Sequence, residues 1–239
     1  VAATDTNAAA ADTAASAAVD ESAPVVEEEK SFTQVLKEKF IEGDPLWMAP
    51  VLLTLILGLA IAIERVLYLA MSNNNNEKLL KDVEDALKSG GKSAALEVCR
   101  NTRGPVASIF YQGLEKMDEG IDMVDKAIVS LGSVENGKLE RGVSWISLFI
   151  ALAPMLGFMG TVIGMIQAFD AIEAAGDISP SLVAGGIKVA LLTTVFGLIA
   201  AMILQIFFNL IVAMIDNLVN KMEDASITFL DIVAAHLKK

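Results

Sequence analysis

The side chains best placed to do chemistry are hydroxyls set inside long apolar runs. Gly157, Thr161, Gly164 and Ala168 recur at i, i+4, i+7 and i+11, which is one face of a helix. Ala190, Thr194, Gly197 and Ala201 repeat that spacing, and Thr193, Gln205 and Asn209 add polar groups to the same run. Two readings stand side by side. Small residues let helix backbones approach in lipid, Gly160 and Gly164 form a GxxxG, and a threonine can bond back to its own helix, so the faces can serve packing alone. Alternatively, polar groups from Thr193 to Asn209 line a path for water or an ion, because polar side chains within a span are costly and face a bundle interior. On that reading Thr161, Thr194, Thr193 and Gln205 line the path. Gly157, Gly160, Gly164 and Gly197 bring the helices together.

The limits of these groups are informative. Neither Gly142–Phe169 nor Val189–Ile215 holds a titratable side chain. A threonine can hydrogen-bond an ion, a water or a carboxylic acid, but it does not exchange a proton near neutral pH. If protons cross here, the carboxylate comes from another chain. Glu64 is a poor substitute: it adjoins Arg65 near the end of the first apolar run, where the two form an interfacial anchor pair or, on the alternative, a functional one. Lys188 follows Gly185-Gly186 near the start of the third run. It either snorkels to the outer surface or supplies a charge at the outer mouth of a pore.

Other chemistries are poorly supplied. One cysteine (Cys99) and one histidine (His236) rule out a disulfide framework and a Cys/His zinc cluster. Phosphate-binding Gly-Lys loops, GxSxG and HExxH are absent, so no catalytic residue, metal site, cofactor or enzymatic activity is expected. Cys99 reads as a small packing residue and His236 as a solvated one. The 18 Lys and Arg against 30 Asp and Glu leave a net charge of −12, the wrong sign for a nucleic-acid binder.

The elements that must carry the stripes follow from charge-free runs. Pro45–Ile63 is 19 residues without a charge, Gly142–Phe169 is 28 and Val189–Ile215 is 27. About 20 apolar residues cross the hydrocarbon as a helix, so three spans of a bilayer are expected. The chain divides into a disordered acidic tail at 1–30, an amphipathic segment at 31–45, and a first span at 46–71. A helical region at 72–141 follows, then a second span at 142–169, a loop at 170–182, a third span at 183–215 and a C-terminal helix at 216–239. The acidic tail reads as the end left by signal-peptide cleavage or by truncation.

Lys and Arg set the orientation. Ten lie in Ser72–Arg141 and none in the Asp170–Ser181 hairpin, so the helical region and C-terminus are expected in the cytoplasm and the N-terminus outside. Trp47, Tyr68 and Trp145 sit where interfacial aromatics often do. Asn73–Asn76 reads as a linker. Helices are expected at Glu77–Lys88, ended by Gly90-Gly91, at Ser93–Arg100, and from Pro105 to Met117. Ile121, Val124, Ile128, Leu131 and Val134 recur at helical spacing, predicting one long helix of roughly 50 residues that runs on into the second span, with Pro154 as its kink point. The fold class is all-α, a three-span integral membrane protein whose long helices extend into a cytoplasmic helical region.

These motifs resemble those of the MotA/TolQ/ExbB proton-channel family, nearest its ExbB branch. The resemblance is carried by APMLGFMGTVIGMIQAF, an acidic hairpin, and GGIKVALLTTVFGLIAA within Leu152–Val212, and more weakly by AIERVLYL within Asp44–Met71. It implies a ring-forming homo-oligomer, a pentamer, in the bacterial inner membrane. The ring encloses an ExbD-like one-span partner whose membrane aspartate takes up and releases protons. It implies pore-facing roles for Thr161 and Thr194 near that aspartate. Proton-motive force would drive movement of the partner, passed to a TonB-like periplasmic protein that energises outer-membrane transport. A TolQ-like envelope role, a motility stator and a non-conducting scaffold are the alternatives. One departure stands out: where ExbB and TolQ proteins carry a glutamate before the second threonine, this chain has Val189 with Lys188 beside it.

Overall fold

The computed structural model describes residues 32–43, 45–72, 75–176 and 180–237. The expected tail at 1–30, the linker residues Asn73 and Asn74, the hairpin tip at 177–179 and the two terminal lysines lie outside the described residues. Everything described is helical or connects helices. In chain order the helices are α1 (Phe32–Glu42), α2 (Pro45–Ser72), α3 (Asn76–Asn101), α4 (Pro105–Glu115), α5 (Ile121–Leu139), α6 (Val143–Ala175) and α7 (Pro180–Leu237), with a 3₁₀ turn at Met117–Glu119 between α4 and α5. Three of them, α2, α6 and α7, contain stretches long and apolar enough to cross a membrane.

The glycines punctuate the chain as their freedom dictates. Gly91 bends α3 with φ 69°, dividing it near the expected place. Pro105 opens α4 in the first-turn position that needs no N–H donor. Pro154 sits inside α6, which continues through it. The single long helix expected from Ile121 into the second span is instead two. Gly142 adopts the left-handed conformation, φ 88°, and the chain breaks between Leu139 and Val143. The third span and the C-terminal helix, expected as separate pieces, are one: α7 runs 58 residues, about 87 Å at the usual helical rise.

Two kinds of core hold this together. In the head, formed by α3, α4, α5 and the C-terminal half of α7, large side chains interlock. Phe110, Leu114, Val83, Val124 and Phe229 are all fully buried, and the rings of Phe110 and Phe229 stack with centroids 4.4 Å apart. Solvent drives that burial. Among the spans, α6 and α7 pair most extensively and α2 lies against both. There Val51, Ala153 and Ala200 form a small buried cluster, and glycine and alanine backbones make the α6–α7 contact. Lipid tails are as apolar as leucine, so close backbone approach replaces the hydrophobic effect as the source of cohesion.

Candidate functional site

The pairing of α6 with α7 builds the site. A Cβ placed on Gly197 would lie 2.6 Å from the Ala153 carbonyl oxygen, and one on Gly157 would lie 3.1 Å from Thr194 Cα. One on Gly160 would lie 2.7 Å from Thr193 Cβ, one on Gly164 3.1 Å from Ala190 Cβ, and one on Gly186 3.2 Å from Ala168 Cα. The contacts climb α6 as they descend α7, so the helices run antiparallel along a seam floored by glycine and alanine. All four glycines expected to serve close packing are on this seam within one chain.

The threonines separate here. Thr193 is buried, 1% exposed, and donates its hydroxyl to the Ala190 carbonyl at 2.8 Å. Among the residues expected to line a path, Thr193 is the one sealed between two helices of the same chain. Thr194 and Thr161 are half-buried and border the seam. Thr194 Oγ1 donates across it to the Gly157 carbonyl at 3.1 Å, and Thr161 Oγ1 donates within α6 to the Phe158 carbonyl at 2.6 Å. Gly157, one turn from Thr161 on α6, thus joins the two hydroxyls to one stretch of backbone. Gln205 is exposed and donates to Asn209 Oδ1 at 3.1 Å. At 3.6 residues per turn, Gln205 falls within about 20° of Thr194 around α7, so both share a face.

Lys188 does not share that face. It is eight residues into α7, a helix that begins earlier than expected, and it lies about 120° around the axis from Thr194. Its own line carries Val195, Ile199, Met202 and Ile206, all exposed apolar side chains. Lys188 thus shares its line of α7 with apolar side chains and not with Thr194.

Several residues around the seam carry no signal in the sequence pattern. A Cβ on Gly58 of α2 would press within 2.7 Å of Leu204 Cδ2, so Gly58 admits α2 to the bundle beside α7. Thr54 is buried and bonds back to Val51 O at 2.7 Å. Arg65 does more than anchor. Its guanidinium pairs with Glu64 at 2.5 Å, stacks 4.8 Å over the Tyr68 ring, and donates to the Arg141 carbonyl at 3.0 Å, tying α2 to the break between α5 and α6. Nothing in the local sequence of Arg65 signals a bond to a residue so distant in the chain. Among the described residues there is no group of His, Cys, Asp and Glu that could hold a metal ion.

A family profile described as the MotA/TolQ/ExbB proton channel family matches residues 101–224, just over half of the chain. The chain belongs to that family. Its curated relatives include a putative biopolymer transport protein ExbB homolog of Methanothermobacter thermautotrophicus, 32% identical over 169 residues, which are 70% of this chain and 60% of that protein. They include an ExbB-like protein 1 of Synechocystis, 28% identical over 76% of this chain and 72% of that protein. A Tol-Pal system protein TolQ of Haemophilus influenzae is 35% identical over 71 residues, 30% of this chain and 31% of that protein. The chain therefore spans 60% of the length of the archaeal relative. The matched region of this MotA/TolQ/ExbB member takes in the whole seam, from Ala153 to Gly197.

Proposed function

We propose that this chain is the ring-forming subunit of a proton-driven motor and works with an ExbD-like one-span partner held inside a pentameric ring. The orientation follows the lysine-free hairpin, with the helical head in the cytoplasm and the N-terminus in the periplasm of a bacterial inner membrane. The partner's membrane aspartate carries the proton. Thr161, Thr194 and Gln205 border the path on this chain, and the glycine seam keeps α6 and α7 close enough for Thr194 to bond to the α6 backbone one turn from Thr161. One charge crossing 100 mV releases about 2.3 kcal/mol, which the ring converts into movement of the partner. That movement is passed to a TonB-like periplasmic protein and energises outer-membrane transport.

One observation carries this reading. Hydroxyls border the α6–α7 seam while neither Gly142–Phe169 nor Val189–Ile215 holds an acid or a base. A proton relay without its own titratable group needs a borrowed carboxylate. The experiment is reconstitution in proteoliposomes with and without the co-purifying one-span protein, under an imposed proton gradient. The chain alone is expected to be silent and the pair to conduct. Conduction by the chain alone would end the proposal. Growth on a TonB-dependent substrate, in a strain lacking its own ExbB, tests the transport role separately from envelope maintenance.

A further inference from the structure

We propose that a groove in the head, between α5 and α7, docks a basic and apolar segment: the cytoplasmic flank of the one-span partner. The inference rests on the function proposed above and concerns a surface that function leaves unused. The groove encloses about 530 Å³, room for several side chains of a docked segment but not for a whole helix. Its floor is apolar: Ile109 of α4, Ile128 of α5 and Met222 of α7 are all buried. Val129 of α5 and Ile227 of α7 line it from opposite walls and are 65% and 62% exposed. Apolar side chains face water on both sides of one groove, so an occupant that covers them gains their burial.

The polar lining selects the charge. Asp125 of α5 and Glu223 of α7 line the groove, and no lysine or arginine does. Among the described residues neither acid has an ion-pair partner. Lys126 and Lys221, close to them in sequence, line other grooves. Asn136 lines this one too. Its amide nitrogen donates to Glu140 at 3.2 Å, while its buried Oδ1 has no hydrogen-bond partner among the described residues. Negative charge and a spare acceptor over an apolar floor complement lysine or arginine set among apolar side chains.

Position names the source. Glu223 is eighteen residues from Gln205, five whole helical turns, so the groove lies on the side of α7 that borders the proposed path. Glu223 is also eight residues past Ile215, the end of the charge-free run, or about 12 Å along the axis. About four extended residues below the partner's span cover that distance. A one-span chain that acts in the periplasm keeps its other end in the cytoplasm, and cytoplasmic flanks are enriched in lysine and arginine.

Photocrosslinking tests the contact in membranes holding the chain and its co-purifying one-span protein. With p-benzoylphenylalanine in place of Ile227, irradiation is expected to join the two proteins, at partner residues that mass spectrometry places on the cytoplasmic side of its span. The same probe at Val134, which lines the groove between α4 and α5, is expected to give no such adduct. D125N/E223Q, and separately raised salt with both acids intact, should each lower the Ile227 adduct about three- to tenfold. An Ile227 adduct with a second copy of this chain, or no adduct, overturns the inference, and so does a yield that holds under either change. Should D125N/E223Q fail to assemble, the salt series decides. In each of those failures, conduction by the unsubstituted pair leaves the proposed function standing. Absence of conduction from that pair overturns both.

Discussion

Thr193 and Thr194 are adjacent in the chain and a third of a turn apart on α7, and that rotation assigns them different physics. Thr193 fills the space left by Gly160 and satisfies its hydroxyl on its own helix. T193V should therefore lower stability by about 0.5–1.5 kcal/mol, through the lost bond, and leave conduction by the pair unchanged. Thermal unfolding in detergent and the proteoliposome assay read the two effects separately. Glycines differ among themselves in the same way. At Gly197 a methyl would meet a backbone carbonyl that cannot yield, so G197A is expected to cost about 1–3 kcal/mol. At Gly132 on α5 nothing lies within 4 Å of the added carbon, so G132A should gain about 0.5–1 kcal/mol from the better helix former. Equal effects in the two unfolding curves would contradict the seam. The stripes were legible as i, i+4, i+7 patterns, because only small residues tolerate such approach. Which threonine is sealed was not legible: a stripe has a width of more than one residue, and only the partner helix says where its centre lies.

At the scale of elements, the break between α5 and α6 is the main departure from pattern. Apolar periodicity runs through Glu140–Gly142 without interruption, since a turn of three residues hardly disturbs a repeat of 3.6. Gly142 then takes φ 88°, and the carbonyl of Arg141 finds its donor on Arg65 of α2. A long-range bond of this kind leaves no trace in local sequence. G142A places a side chain in the left-handed region and should cost about 1–2 kcal/mol. R65M removes the donor while keeping the stem. Faster amide exchange at 139–143 is expected from it, and protection unchanged from the parent chain would show that the tie is idle. By contrast, the three spans, the Gly91 bend and the Pro105 start were all readable, because charge-free length, backbone freedom and a missing N–H act locally.

For the whole molecule, the head depends on α7 reaching far beyond the span. Phe229, near its C-terminal end, is fully buried against Phe110 of α4. F229A should cost about 3–5 kcal/mol and loosen α4 from α7 without touching the seam. Cys99 reports on this directly. Burial pushes its thiol up from 9.0 to about 12, so in the intact head it stays protonated and resists alkylation at pH 8. F229A is expected to speed maleimide labelling of Cys99, measured by mass spectrometry. The linkage has a definite sign. A thiol whose folded pKa is raised contributes its full stability below about 9, and loses it as pH climbs toward 12. C99A should therefore flatten the alkaline arm of the stability curve.

An unbroken α7 turns a small change in the membrane into a large one outside it. The rod is about 87 Å long, so a tilt of about 5° pivoting at one end swings the other through roughly 8 Å. A stiff lever of that length leaves no joint at which a displacement could be absorbed. Whatever rocks Thr194 is felt at Phe229.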